Sequence, residues 1–153
     1  MPPRDRRQDR STAKTGHKQR KQSASWPIPP IVQPNAKTLQ FSFKHLDLQN
    51  PTFPVSACTA DFWVALAAKL VEYSQWPVEV FEDQNHEAHR HTIDFAETSE
   101  PNGFAHLGMD NLGYATTWQF QVGVDRWRVL GFLLDDVFYV VWLDPNHCLY
   151  QLN

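Results

Sequence analysis

Trp118, Phe120 and Val122 alternate with Gln119, Gln121 and Gly123, the period-two pattern of a strand with one apolar and one polar face. Two further apolar runs follow, Trp127 to Leu134 and Val137 to Leu143. Only Gly123 to Arg126 and the pair Asp135–Asp136 separate the three runs. Connections this short force antiparallel pairing, because a parallel neighbour needs a long crossover. Leu39-Gln40-Phe41-Ser42-Phe43 shows the same alternation and predicts a strand near the start of the folded part. From Ala60 to Ser74 the spacing changes. Phe62, Leu66, Lys69 and Leu70, with Trp63, Ala67 and Val71, recur at helical intervals, behind Thr59 as N-cap and with Asp61 suiting the helix dipole in the first turn. Pro77 closes this helix and can open a second, short one through Val80 and Phe81. The stretch from Asp83 to Asn111 is polar, with Pro101 and Gly103 as breakers, and reads as loop. These elements predict an α+β domain: an antiparallel sheet of three to four strands with one or two helices packed on one face.

Composition changes this picture mainly at the N-terminus. Residues 1–36 hold Arg, Lys, Gln, Ser and Pro with almost nothing apolar before Trp26, and such a segment buries too little surface to offset its ordering entropy. A disordered basic arm ending in a Pro-rich linker is expected there, and a single domain over 37–153. The first 21 residues carry eight Lys or Arg against two Asp, whereas the rest carries six against fifteen Asp or Glu. A basic arm is thus joined to an acidic body. It could attract nucleic acid or an acidic surface, or serve only as a solubilising tail. Six Trp and ten Phe in 153 residues point to an aromatic core. Cys58 and Cys148 lie beside apolar residues and read as buried free thiols rather than a disulfide framework. No apolar run approaches the ~18–20 residues of a membrane span, and no secretory signal is recognisable. A cytoplasmic protein without membrane contact is the expectation.

Candidate chemistry gathers at the C-terminal end of the predicted sheet. The pattern Leu107…Trp118-Gln-Phe-Gln-Val…Arg128-Val-Leu-Gly-Phe…Val140-Val-Trp…His147…Tyr150 resembles the core of the RelE/ParE/HigB toxin superfamily, over roughly Thr59 to Tyr150. The resemblance implies a RelE-like fold and an mRNA endonuclease that needs no metal, with an antitoxin protein as partner and RNA or the ribosome as target. Such chemistry must remove a proton from a 2′-hydroxyl, stabilise the charge of a phosphorane and protonate the leaving oxygen. Arg128 matches the family's phosphate-stabilising arginine, and its fork suits two phosphate oxygens. Tyr150 matches a C-terminal tyrosine that positions or deprotonates the nucleophile. His147 lies where the family often carries basic residues and can act as acid or base near neutral pH. Gln119, Gln121 and Arg126 would contact the substrate backbone. Where ribosome-dependent members carry lysines on the first of these strands, this chain has Gln119 and Gln121, which hydrogen-bond a phosphate but supply no charge. A non-catalytic module of the same fold, holding a protein or nucleic-acid partner, is the alternative.

Each of these residues also has a structural reading. Arg128 could pair with Asp125 or Asp144 on the surface, Tyr150 could be an aromatic at the core edge, and Asp144 could cap a Pro-containing turn around His147. His86, His89 and His91, in the string HEAHRH with Glu87 and Asp94 nearby, could ligate zinc. Their loop-like surroundings favour a solvated surface, and the spacing differs from His-Glu-x-x-His. No Gly-x-Ser-x-Gly elbow and no phosphate-cradling glycine motif is present. The chain therefore implies no cofactor and no metal.

Overall fold

The computed structural model describes residues 37–84, 89–108, 112–123 and 126–150; the arm and linker expected over 1–36 lie outside them. Helix α1 spans Ala60–Tyr73, and the Thr59 hydroxyl accepts from the Phe62 amide at 3.2 Å, as an N-cap should. Phe62, Leu66 and Tyr73 form its buried stripe. Pro77 precedes the short helix α2, Val78–Glu82. Both pack on one face of a sheet through aromatic contacts, among them Phe62 on Trp127, Tyr73 on Phe120 and Phe81 on Phe138.

The sheet has five strands, not three or four, and it is mixed. Its strands are β1 Gln40–Ser42, β2 Arg90–Thr92, β3 Thr116–Gln121, β4 Arg128–Leu134 and β5 Val137–Asp144, in the order β1-β5-β4-β3-β2. The β3-β4-β5 meander is antiparallel as the short connections require, and Asp135 makes the tight turn in the left-handed region at φ 54°. The wholly antiparallel expectation fails at β1, which pairs parallel with β5 after both helices and the other strands intervene.

The Asp83–Asn111 loop expectation also needs correction, because β2 lies within it as an edge strand against β3. Its inward residue is Arg90, not an apolar one, so the usual alternation is hidden. Arg90 is 5% exposed and donates to the carbonyls of Phe81, Val80 and Asp83, with its guanidinium over the Trp76 ring. Peptide carbonyls and an aromatic face substitute there for the hydration of the charge.

Strands β4 and β5 read as nearly unbroken apolar runs because both faces of the sheet are covered. On the face away from the helices, Phe53 stacks on Trp142 at 4.9 Å, Phe104 meets the same ring at 4.8 Å, and Leu149 is fully buried among them. Gly131 sits at a register shift between β4 and β5, where an added Cβ would collide with the Tyr139 carbonyl and the Phe138 ring. Among the described residues no helix is long and apolar enough to cross a membrane.

Candidate functional site

The register of the sheet sets two polar rows side by side at one corner of the face away from the helices. Gln121 pairs with Arg128, and Arg128 with Asp144, across β3, β4 and β5. In the next row on that face, His91 on β2 pairs with Gln119 on β3. Side chains two residues apart on a strand share a face, so the four strands contribute to a single patch.

The chain after β5 folds back over this patch. The Asp144 carboxylate, 1% exposed, accepts from the Cys148 amide at 2.8 Å and the Leu149 amide at 3.0 Å. Ser99 fastens the same segment, its amide donating to the Leu149 carbonyl and its hydroxyl to that of Cys148. His147 stands at the bend with φ 59°, a conformation that only Asn, Asp and Gly adopt readily. With Leu149 buried, Tyr150 arrives with its ring 6.0 Å from His147 and 6.0 Å from His91. The capping role read for Asp144 is therefore real, and it is also what brings His147 and Tyr150 to the corner.

Electrostatics differentiate the groups. His147 is held below its ordinary pKa by burial first and then by Arg128, with Arg126 and His91 acting the same way and Asp144 opposing. The imidazole is thus neutral near pH 7 and able to take a proton. Burial and the nearby Asp94 push the Tyr150 phenol up, so it holds its proton. Arg128 is half-buried, donates to the Trp127 carbonyl at 3.0 Å and loses some basicity to burial while Asp144 restores part of it. Arg126 is exposed at the rim.

In the sequence His91 stands in a histidine string, and in the fold it joins a different set. Its Nδ1 lies 2.9 Å from the Thr92 carbonyl oxygen, which can only accept, so Nδ1 carries the proton. Its Nε2 lies 2.6 Å from the Gln119 side-chain amide nitrogen, which can only donate. Gln119 is 3% exposed, contrary to the polar solvent face its alternation suggested, and its Oε1 is buried without a partner. The zinc reading gains nothing among the described residues, where no three His, Cys, Asp or Glu side chains gather as a metal site; His86 and Glu87 lie outside them. The sequence signal that could have found His91 is weak: a three-residue strand, Arg90–Thr92, that is polar throughout and begins with a buried arginine.

No family model, curated protein or solved structure matches this chain. The functional reading therefore stands on the corner's own geometry and on the residue pattern given above.

Proposed function

We propose that this protein is a RelE-like, metal-independent endoribonuclease acting on single-stranded RNA and restrained in the cell by an antitoxin protein. The observation that carries the reading is the folded-back segment after β5, which brings His147 into the field of Arg128 and puts the Tyr150 ring 6.0 Å from that imidazole. In this reading His147 removes the 2′-hydroxyl proton, Tyr150 hydrogen-bonds and orients the attacking oxygen, and Arg128 stabilises the phosphorane through its paired N–H donors. Gln121 and Arg126 hold the flanking backbone. Arg126 and Arg128 act on His147 from one side and the Asp144 carboxylate opposes them, so charges of both signs meet at the corner within an acidic body. That acidic body gains nothing from RNA phosphates at long range, so recognition of the strand falls to short-range contacts at the corner.

The test is induction of the full-length protein in bacteria. Growth should arrest, and Arg128→Ala should relieve the arrest, because losing such a group costs about 2–4 kcal/mol of transition-state stabilisation. Unimpaired growth at high soluble expression would contradict the reading. A second reading, a non-catalytic binding module, draws on the outer surface of α1, where Val64, Ala67 and Val71 are exposed. An apolar helix face suits a protein partner, and the module reading is the one that survives if no arrest occurs.

A further inference from the structure

We propose that the outer face of α1 is covered by the chain's own residues Trp26–Val32, laid antiparallel to the helix, and that this docking carries the basic arm to the end of the domain where Arg126 lies. The inference goes beyond the ribonuclease reading and does not rest on it. Ala60, Val64, Ala67, Ala68 and Val71 recur at helical spacing on one stripe of α1. All are exposed, Val64 at 71% and Val71 at 63%, and the partly exposed Trp63 flanks them. The opposite stripe, Phe62, Leu66 and Tyr73, is the one buried against the sheet, so the helix is apolar on two sides. A surface helix ordinarily turns charge toward water. This stripe carries none, and Lys69 and Glu72 pair with each other at 2.8 Å.

Residues 22–36, which lie outside the described residues, match the stripe in composition. They contain no Asp, Glu, Lys or Arg, and they set Trp26, Ile28, Ile31 and Val32 among Pro27, Pro29, Pro30 and Pro34. Apart from Met1, those four are the large apolar side chains that precede Lys37, and a mere spacer has no use for them. Proline keeps such a segment extended, so little entropy is lost on docking, and extended Pro-rich chain is received by apolar grooves with an aromatic wall. Trp63 supplies that wall. A second copy is the competing occupant, and charge opposes it. Beyond residue 21 each chain carries six Lys or Arg against fifteen Asp or Glu, so two bodies repel. A tethered segment is instead present at an effective concentration on the order of millimolar.

The tether sets reach and direction. The Lys37 carbonyl accepts from the Val78 amide at 3.2 Å, Thr38 bridges to Pro77, and the Leu39 amide donates to the Trp76 carbonyl at 2.9 Å. The chain therefore enters the domain just beyond the C-terminal end of α1. The five steps from Lys37 back to Val32 span up to about 17 Å, enough to pass from Val78 to Val71. The six steps from Val32 back to Trp26 cover about 19 Å of extended chain, against roughly 17 Å of helix from Val71 to Ala60. Segment and stripe agree in length, and the segment runs toward the first turn of α1. That end of the helix packs on the β3–β4 connection, where Phe62 meets the Trp127 ring at 5.5 Å and Ala65 lies against Gly123. Arg126 is exposed on the same connection. The eight Lys and Arg of residues 1–21 thereby join Arg126 at one end of an otherwise acidic body.

The experiment places the photoreactive residue p-benzoylphenylalanine in the full-length protein, at Val71 in one variant and at Ala60 in another. Both positions are exposed, so the fold should admit the larger side chain, and circular dichroism checks it. After irradiation trypsin releases residues 22–37 as one peptide, because Lys21 and Lys37 bracket a stretch without Lys or Arg. Each probe should join to that peptide within a monomer, at a yield independent of protein concentration. Attachment should fall near Val32 from position 71 and near Trp26 from position 60, and the yield should be lost when Trp26→Ser and Ile31→Ser are combined. Covalent dimers whose yield grows with concentration would put a second copy on the face and overturn the proposal. Monomers joined nowhere in residues 22–36, or a yield unchanged by the two serines, would overturn it as well. Attachment in the reverse order would overturn the delivery of the arm to the Arg126 end.

Discussion

Replacing Asp144 by Asn should detach the segment that completes the site. Asp144 accepts two backbone amides, from Cys148 and Leu149, with its carboxylate almost wholly buried. The amide keeps one oxygen acceptor and turns the other position into an NH₂ donor facing an N–H donor. A hydrogen bond to a charged acceptor contributes roughly 1.5–3 kcal/mol, and Arg128 loses the opposite charge across the strand. Removing the cost of burying a carboxylate offsets part of this, leaving a net loss of about 2 kcal/mol. For a domain of this size that lowers the Tm by roughly 8 °C. Urea unfolding should show a lower midpoint with an unchanged slope. Amide hydrogen exchange should quicken at Cys148 and Leu149 before it does in β4 or β5, because local opening needs only the segment to lift. RNA cleavage should fall with that protection. Unchanged Tm and full protection of both amides would show instead that burial of Leu149 and the Ser99 bonds hold the segment without the Asp144 carboxylate.

His147→Asn keeps a residue tolerant of φ 59°, so it isolates the imidazole's effect on stability. Burial and Arg128 lower the His147 pKa below 6.5, so the unfolded chain binds a proton that the folded chain resists; the associated stability is present above pH 6.5 and lost as pH falls through the folded pKa. The wild type should therefore weaken relative to His147→Asn as urea midpoints are followed downward from neutral pH, and a pH-independent difference would count against the assignment. Gly131→Ala should cost at least about 1–3 kcal/mol in urea unfolding, because its Cβ meets the Tyr139 carbonyl in the middle of the sheet; full stability would show that the β4–β5 register can shift to admit it.

The elements with strong local signals were legible from residues alone. Helix α1 follows from its apolar spacing and the Thr59 cap, and the β3-β4-β5 meander from turns too short for any other pairing. The pairing of β1 was not legible, since a three-residue strand shows alternation but not its partner, and a parallel neighbour leaves no turn to read. Strand β2 was hidden because Arg90 takes the inward position and satisfies its charge with carbonyls that come together only in the fold. At the site, Arg128, His147 and Tyr150 are close enough in sequence for order and spacing to suggest a common corner. His91 and the burial of Gln119 depend on the register between β2 and β3, a long-range pairing without a local signal. Asp144 is legible as a turn-former, and its second role emerges from what the turn carries back to the sheet.

Metal-free RNA cleavage at the corner around Arg128 is read most directly from the RNA itself. Purified full-length protein is incubated with end-labelled single-stranded RNA in excess EDTA, beside an Arg128→Ala variant whose circular dichroism matches the wild type. The wild type should yield fragments ending in 2′,3′-cyclic phosphate and beginning with 5′-hydroxyl, and the variant should be slower by about 10²–10³-fold. Intact RNA with the wild-type protein, or cleavage equally fast with Arg128→Ala, would contradict it.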